Sequence, residues 1–391
     1  GDWRLLYPRD YGIELGHQPL LAMSLSIWGN VLIGMRLPSL FIGTFGLACL
    51  YVLAARLFGV RVGLLTLGTA TVVWWSILMG RVILREVLEM PVYALALYGF
   101  WRGFEDHTRE RSRSLRPFIL GGFALGIAQY VHTIPRGLFI VVIIFALYLF
   151  IFQRTLFKRA RRGLLVFVIV AEIIAAPMLI TAALSPNIDR LPTADLTGPD
   201  AAAKLIARLQ VSVPTILGQF AFAGDEGWEL NIPGRPIFEP LGAILFGLGI
   251  IIALWRLRRP AYAFALIVLG VSLLPSIVLD SNFPFTRMIS AQTVAFAFVG
   301  IGLAATLDVI GGRITSQPLR QVAQYGLIGA LITINAARVI NDMFITWPTL
   351  NPMRTVYNVE LRALDRYLNA QNHPPLIAQC TLWIIFPWEP L

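Results

Sequence analysis

The most constraining feature of the chain is a series of long apolar stretches whose connecting loops alternate between two kinds. Every second loop is a short basic cluster, at residues 56–61, 102–116, 153–162, 256–259 and 311–320. The intervening loops carry Asp, Glu, His, Trp, Asn and isolated Arg residues instead. Because short loops rich in Lys and Arg resist translocation, the basic loops are predicted to be cytoplasmic. The chemically varied loops then share the opposite face, where we expect any active site.

The apolar stretches are long enough to cross a bilayer. A span needs about 20 mainly apolar residues, and we predict ten, at residues 37–57, 62–80, 87–104, 118–133, 137–152, 164–184, 239–256, 261–279, 288–310 and 322–340. The chain is 57% hydrophobic and 14% charged, with a mean hydropathy of +0.70, whereas soluble domains carry about 25% charged residues. The predicted fold class is therefore an all-α polytopic membrane protein with about ten transmembrane helices.

Charge and cysteine usage exclude other classes. The formal net charge of +10 comes mostly from Arg in the basic loops, where membrane topology explains it, so no nucleic-acid partner is expected. Cys49 lies in a span and Cys380 in the C-terminal tail, so neither a disulfide framework nor a thiol–metal cluster is available. Phosphate-binding Walker A, HExxH, GxSxG and CxxC motifs are absent from the sequence.

Five regions follow from these patterns. They are a first external loop and an interfacial helix (1–36), N-terminal transmembrane helices (37–184), a long external loop (185–238), C-terminal transmembrane helices (239–341) and the start of an external α/β domain (342–391). The interfacial helix is predicted because residues 20–34 are apolar but only about 15 long. The chain begins at Gly1 without a signal-peptide pattern and stops soon after a strand-like run at 376–386. We therefore expect further residues at both ends.

The first external loop contains candidate catalytic groups. Asp10, Glu14 and His17 precede the interfacial helix. A carboxylate at a membrane surface can act as a general base toward a hydroxyl acceptor, and a neighbouring His or Glu can hold a divalent metal ion. The alternative is a solvated loop whose charges have no chemical role.

Arginines recur in the short external loops. Arg81 and Arg85 lie in one loop, and Arg136 and Arg287 lie in two others. Arginine outside the basic loops is not needed for orientation, and guanidinium groups bind phosphate through two parallel hydrogen bonds, so a lipid phosphate is the expected ligand. The alternatives are an ion pair with Glu86 or Glu89 that closes a helix turn, or arginines that reach the interface for structural reasons.

Further polar groups suit binding of a sugar or an acceptor. This set includes His17 of the first external loop and His132 beside one external arginine. Asp225, Trp228 and Asn231 lie in the long loop between glycines and prolines. Trp beside carboxylate and amide groups can stack on a sugar ring, although Trp at a bilayer interface is equally common as an anchor. Glu172 lies inside a predicted span, where an ionisable group suggests a function.

Three stretches together resemble a known class. They are GDWRLLYPRDYG followed by GHQPLL, MRLPSLFIGTFGLACLYVLAARLFG, and GRVILREVLEMPVYALALY. They are similar to integral-membrane glycosyltransferases of the GT-C class, above all to the polyprenyl- and dolichyl-phosphate-mannose protein mannosyltransferases and the aminoarabinose-type lipid A transferases. GDEGWELNIPGRPIFEP and SNFPFTR also resemble bacterial members.

The resemblance implies an enzyme that transfers a sugar from a polyprenyl-phosphate donor to a protein or glycolipid acceptor outside the cytoplasm. It also implies a plasma- or inner-membrane location, with membrane lipids as further partners. In such families an acidic residue of the first external loop is the base, and it usually lies upstream of a segment like GDW. The resemblance therefore implies a base upstream of Gly1, while Asp10 and Glu14 remain candidates that match the pattern only loosely. A transporter or lipid flippase, with the arginines along its path, is the alternative. A structural membrane subunit is a third possibility.

Overall fold

The structure is a computed structural model of the chain that describes residues 5–7, 13–29, 32–184, 200–227, 230–278 and 284–350. These residues form helices joined by short turns, with one two-stranded ladder near the start. The α-helices are α1 Gln18–Trp28, α2 Leu32–Phe58, α3 Val60–Ala70, α4 Trp74–Met79, α5 Glu89–Thr108, α6 Arg116–Ala128, α7 Gly137–Phe152, α8 Arg154–Ala183, α9 Ala201–Gly218, α10 Pro240–Trp255, α11 Pro260–Val278, α12 Pro284–Arg287, α13 Gln292–Arg313, α14 Gln317–Asn341 and α15 Trp347–Thr349. The predicted all-α polytopic fold class is confirmed.

Six helical segments of the described part are long and apolar enough to cross a membrane. They are Leu32–Phe58, Ile134–Phe152, Arg154–Ala183, Pro260–Val278, Ile289–Arg313 and Gln317–Thr349. Three shorter apolar helices, α3, α6 and α10, coincide with further predicted spans. The total of ten crossings therefore stays a prediction, while the multi-pass character follows directly from these lengths.

Two predicted boundaries differ from the structure. The stretch 62–80 is not one helix, because a turn after Ala70 separates α3 from α4. The break allows the Trp74 indole N–H to donate to the Leu230 carbonyl at 3.1 Å, so that α4 packs against the long loop. The apolar segment at 20–34 also divides, because α1 ends at Trp28 and the next residue, Gly29, has a φ of +78° that strongly favours glycine.

Glycines set the closest helix contacts. A Cβ added to Gly249 of α10 would lie 1.9 Å from the Phe298 carbonyl oxygen, and one on Gly302 of α13 would lie 2.0 Å from that of Leu245. Between α5 and α6, a Cβ on Gly99 would lie 2.6 Å from the Gly121 Cα. Small residues at such crossings let backbones approach closely, which drives helix association in lipid. Ordinary side chains here would force the helices apart.

An aromatic cluster holds α4 and α13 in place near one end of the bundle. The ring of Trp75 lies 5.8 Å from Phe285, 6.4 Å from Phe296 and 6.5 Å from Phe220. Trp75 is fully buried, and each aromatic pair adds about 0.5–1.5 kcal/mol beyond area burial. The cluster therefore fixes the positions from which the polar groups of that end project.

The two strands lie just before α1. Leu6–Tyr7 pairs antiparallel with Ile13–Glu14, with Leu6 opposite Glu14. A 3₁₀ turn, Leu15–His17, follows and leads into α1. The ladder therefore fixes the backbone that carries Glu14 and His17, although Asp10 and the predicted domain after residue 350 lie outside the described residues.

Candidate active site

Polar residues from four separate segments meet at the end of the bundle where α5 begins, called here the site end. The contributing segments are the 3₁₀ turn Leu15–His17, the 3₁₀ turn Arg85–Leu88, the turn between α6 and α7, and the 3₁₀ turn Ile289–Ala291. The Gly16 N–H donates to the Tyr130 carbonyl at 2.8 Å, which docks the first loop on the α6–α7 turn. A Cβ on Gly16 would lie 2.7 Å from that oxygen, so only glycine fits there.

Arg85 and Glu14 form the central contact. Arg85 Nη1 lies 2.6 Å from Glu14 Oε2, and Thr133 Oγ donates to Glu14 Oε1 at 3.2 Å. Glu14 is 1% exposed, whereas the Arg85 side chain is 25% exposed. A buried carboxylate is stable only when it is paired and hydrogen-bonded. Both oxygens of Glu14 are therefore engaged, while the guanidinium reaches the protein surface.

A second contact joins Glu89 to His132. Glu89, the first residue of α5, is fully buried; its Oε1 lies 2.7 Å from His132 Nδ1, and its Oε2 accepts from Ser290 Oγ at 3.0 Å. Burial alone would lower the pKa of His132, but the ion pair with Glu89, assisted by Glu86, raises that pKa above its ordinary value. His132 therefore gains positive charge more readily than a free histidine does.

Glu86 connects these two pairs. Its Oε1 lies 3.5 Å from Arg85 Nε and 3.8 Å from His132 Nε2. Its Oε2 is buried and has no hydrogen-bond partner among the described residues. The Nε2 atom of His17 is likewise buried and unpartnered within that part of the chain. Burial lowers the pKa of His17, against the opposing effect of Glu86 and with a smaller contribution from Arg85, so the imidazole is neutral near neutral pH.

The remaining predicted arginines are distributed around this end. Arg81 does not join the cluster with Arg85, because its guanidinium contacts the Met343 sulfur and lies 5.7 Å from the Phe344 ring. Met343 and Phe344 belong to a π-helical turn, Asp342–Thr346, that continues α14. Arg136 and Arg287 are both partly buried, at the start of α7 and the end of α12.

The predicted sugar-binding residues of the long loop contact backbone. Asp225 accepts from the backbone N–H of Gly227 at 2.8 Å and of Phe285 at 3.4 Å. Asn231 donates to the carbonyls of Asp225 at 2.9 Å and Arg235 at 2.8 Å. Trp228 lies outside the described residues. Asp225 and Asn231 therefore shape the loop, whatever else they contact when a ligand is bound.

An additional ion-pair network ties this loop to α14. Asp342, at the start of the π-helical turn, pairs with Arg235 and lies 4.0 Å from Arg338 Nε. Arg338 also donates to the Pro236 carbonyl at 3.0 Å, and Asn335 donates to Glu239 Oε1 at 2.9 Å. Asp342 is fully buried. Sequence inspection did not single out this carboxylate, whose partner Arg235 comes from a distant segment.

Among the described residues, no contact supports the predicted divalent metal ion or a role for Glu172 inside the membrane. No group of three or more His, Cys, Asp or Glu residues is placed to hold a metal ion in the part of the chain that the structure describes. A divalent metal ion stays a prediction, since Asp10 lies outside that part. Glu172 is exposed on the outer surface of α8, so it does not project toward the cluster.

Comparison with solved structures defines the class of fold. The chain superimposes on the oligosaccharyltransferase AglB from Archaeoglobus fulgidus, in complex with an inhibitory peptide and a dolichol-phosphate, with a TM-score of 0.56 at 12% identity, over 86% of this chain and 48% of that one. The Archaeoglobus fulgidus oligosaccharyltransferase tethered to an acceptor peptide gives 0.52 at 13% identity, over 98% and 54%. The described helices therefore have the GT-C fold, and the chain spans about half the length of these proteins.

The sequence match points to a family within that class. Residues 16–180 match the family described as dolichyl-phosphate-mannose-protein mannosyltransferase, which confirms the resemblance predicted from the sequence. The matched region contains His17, Arg85, Glu86, Glu89 and His132. ArnT from Cupriavidus metallidurans bound to undecaprenyl phosphate gives a TM-score of 0.48 at 14% identity, over 85% of this chain and 62% of that one. The chain matches no curated protein sequence.

Proposed function

We propose that the chain is the membrane part of a glycosyltransferase that moves a sugar from a polyprenyl-phosphate donor to a protein or cell-envelope acceptor. The proposed reaction takes place at the non-cytoplasmic face of the plasma or inner membrane. The observation that carries the proposal is the position of Arg85, a partly exposed guanidinium held by buried carboxylates at one end of a GT-C helix bundle.

Arg85 has the geometry to bind a donor phosphate. A guanidinium has five N–H donors, and here Nη1 contacts Glu14 while Nε faces Glu86. No partner is found for Nη2 within the described residues, and a quarter of the side chain is exposed. Glu14 therefore orients the guanidinium while leaving donors available for phosphate oxygens. Neutralising the leaving phosphate is the main electrostatic task in such a transfer.

The positions of the other predicted site residues support a binding role to different degrees. Arg136 and Arg287 lie in turns at the same end, so they could neutralise the phosphate together with Arg85, whereas Arg81 contacts the π-helical turn. For the acceptor, His17 has a buried ring nitrogen with no hydrogen-bond partner among the residues that the structure describes. His132 is already paired with Glu89. We retain Asp225, Asn231 and Trp228 as candidates on the loop beside the site.

The two ends of α5 support the proposed orientation. Glu89 and Glu105 lie at opposite ends of this helix, about 24 Å apart at 1.5 Å per residue. That separation is close to the roughly 30 Å apolar thickness of a bilayer. The Glu105 end, called here the basic end, carries the arginine-rich loop 102–116 predicted to be cytoplasmic. The site end would then face outward.

A reconstituted transfer assay tests the activity. The full chain in nanodiscs should transfer radiolabelled sugar from a polyprenyl-phosphate donor to a protein or envelope acceptor and should release polyprenyl phosphate in equal amount. Retention of all label on the donor, with or without movement of the lipid between leaflets, would contradict the proposal. Lipid movement without transfer would favour the flippase alternative.

Cysteine labelling tests the orientation. In a Cys49→Ala, Cys380→Ser background, Lys204→Cys on α9 and Ser112→Cys in the basic loop are both exposed positions. Arg208 of α9 donates to the Val278 carbonyl, which places α9 beside the site end of α11. Lys204→Cys should react with an impermeant maleimide in intact cells, and Ser112→Cys should react only after permeabilisation. The reverse pattern would contradict an outward-facing site.

A further inference from the structure

Glu172 lies at the centre of a membrane span, away from the site end. It comes ten residues after Arg162, the last arginine of the basic loop at 153–162, and eleven residues before Ala183, where α8 ends. At 1.5 Å per residue these separations are about 15 and 16 Å, each about half of the roughly 30 Å apolar thickness of a bilayer. The carboxyl group therefore lies near the middle of the bilayer.

Apolar side chains surround this carboxyl group on the outer face of α8. Leu165, Ile169, Ile173 and Ile180 are exposed there at helical spacing, while the buried face of α8 packs against α5, α6 and α7. Glu172 is exposed on the outer face, and no hydrogen bond or ion pair joins it to another residue that the structure describes. An ionisable side chain that faces lipid without a partner is strongly unfavourable, and such residues usually mark a function.

The Glu172 side chain cannot reach the membrane surface. Side chains on an α-helix lean toward its N-terminus, and the N-terminus of α8 lies at the basic end, where Arg159 donates to the Thr108 carbonyl at 2.9 Å. The side chain therefore leans along the bilayer interior and is too short to cover the remaining distance of about 15 Å. Long Lys and Arg side chains near helix ends can reach the interface, but this glutamate needs a polar partner inside the membrane.

A second copy of the chain offers such a partner at the same depth. Both copies have the same orientation, because loop charge fixes it, so their Glu172 residues lie equally deep. Among the described residues, no Lys, Arg or His lies within one helical turn of the middle of any of the six long spans, so these spans offer no cation there. Two carboxyl groups are complementary when one is protonated, because its O–H donates to an oxygen of the other.

We propose that the outer face of α8 is a contact between two copies of the chain, in which the two Glu172 carboxyl groups are hydrogen-bonded to each other. The copies are related by a two-fold axis along the membrane normal, and a residue near such an axis meets its own counterpart. Packed helix axes lie about 8–10 Å apart, a distance that two glutamate side chains can span. Hydrogen bonds between helices drive their association in lipid. The inference goes beyond the proposed function and does not depend on it.

Energy transfer between labelled copies in proteoliposomes measures this contact. In a Cys49→Ala, Cys380→Ser background, copies labelled at Ser112→Cys with donor or acceptor dyes should associate even at high lipid dilution. Glu172→Leu should raise the dissociation constant about tenfold, roughly the effect of losing a hydrogen bond between helices in a membrane. Glu172→Gln should retain most of the association, because an amide also donates and accepts.

Oxidative cross-linking locates the contact while the native Glu172 is in place. In the same background, Ile173→Cys on the outer face of α8 should form a disulfide-linked dimer in membranes. Ile251→Cys on α10 is the matched control, because Ile251 is similarly exposed and α10 packs mainly against α11 and α13. The control should not form the dimer.

Four outcomes would overturn the proposal. They are a wild-type protein that stays monomeric at every lipid dilution, association of Glu172→Leu as strong as that of wild type, preferential cross-linking of Ile251→Cys, and cross-linking of Ile173→Cys only to a different protein. The last outcome would indicate a partner helix in place of a second copy. Thermal unfolding of Glu172→Leu shows whether weaker association reflects loss of fold, and the Ile173→Cys result is decisive even if that variant does not fold.

Discussion

The charged clusters at the two ends of α5 differ in how their carboxylate oxygens are paired. At the basic end, Arg56 Nε and Arg109 Nη1 each lie 2.7 Å from one oxygen of Glu105, and Arg56 also lies 3.1 Å from Asp106. Arg111 adds a contact to Glu105 at 3.8 Å. Cations outnumber carboxylates there, and each oxygen of Glu105 and Asp106 lies within ion-pair distance of an arginine.

The site end has the opposite balance. Glu14, Glu86 and Glu89 share one arginine and one closely paired histidine, His132, and an oxygen of Glu86 is left without a partner in the described chain. A cluster whose carboxylates are all ion-paired stabilises a helix end, whereas an unpaired carboxylate oxygen can accept a hydrogen bond from a ligand. We propose that the basic end has a structural role and the site end a chemical one.

The largest expected effect comes from removing the cation of the site. Arg85→Ala removes the guanidinium proposed to bind the donor phosphate and leaves Glu14 buried without its charge partner. Donor affinity should therefore fall about 100-fold or more, the loss typical of a buried charged contact. Arg85→Lys should retain part of the donor affinity, because lysine keeps the positive charge but cannot make two parallel hydrogen bonds to a phosphate. Arg287→Ala should weaken donor binding less. Fluorescence binding of a polyprenyl phosphate measures all three, and unchanged affinity in Arg85→Ala and Arg287→Ala would contradict the phosphate role.

Removing a carboxylate from the basic end should affect stability and leave activity alone. Glu105→Gln leaves Arg56, Arg109 and Arg111 without their shared partner, which should cost about 1–3 kcal/mol of unfolding free energy. The transfer rate per folded molecule should equal that of the wild type. Chemical unfolding and the transfer assay on the same preparation test both statements. A selective loss of transfer would show that the two ends do not have separate roles.

The His132–Glu89 pair should make the stability of the site end depend on pH. Because the pKa of His132 is raised in the folded state, its stabilising contribution is fully present below the ordinary histidine pKa of about 6.5 and is lost as the pH rises through the raised value. The stability difference between wild type and His132→Gln should therefore shrink from pH 6 toward higher pH. Thermal unfolding across this range measures it. A difference that grows with pH would contradict the ion pair.

The smallest effect is expected for an exposed pair near the basic end. Arg61 pairs with Asp308, and these side chains are 53% and 67% exposed. Exposed ion pairs contribute about 0–1 kcal/mol, so Arg61→Ala should change unfolding free energy by less than about 0.5 kcal/mol and should not change transfer. Asp308→Ala is the matched control. A loss of unfolding free energy as large as that of Glu105→Gln would show that exposed and buried ion pairs contribute equally to the stability of this protein.

Much of the site could be predicted residue by residue. Glu14, His17, Arg85 and His132 come from three loops that the charge alternation assigned to one face, and the structure brings them together. Glu86 and Glu89 were considered only as ion-pair partners, although a spacing of three residues at a helix start places two carboxylates on one face. Ser290 and Thr133 had no sequence signal, since a lone hydroxyl in a turn is common.

Arg81 shows why neighbouring residues need not share a site. Four positions before Arg85, it was predicted to bind the same phosphate, yet it contacts Met343 and Phe344. Leu84 adopts an extended conformation, with φ −115° and ψ 138°, so the chain between the two arginines is not helical. Without the helical repeat, the two side chains project toward different neighbours.

The membrane class, the approximate helices and the two kinds of loop could be predicted from the sequence alone, because span length and loop charge are local properties of the chain. Which groups pair with each carboxylate depends on the folded arrangement. Arg85 meets Glu14 across 71 positions, and Ser290 meets Glu89 across 201. Such pairings depend on how the helices pack, and Gly99 and Gly249 lie at two of the closest helix contacts. No pattern of charge or hydropathy along the chain encodes them directly.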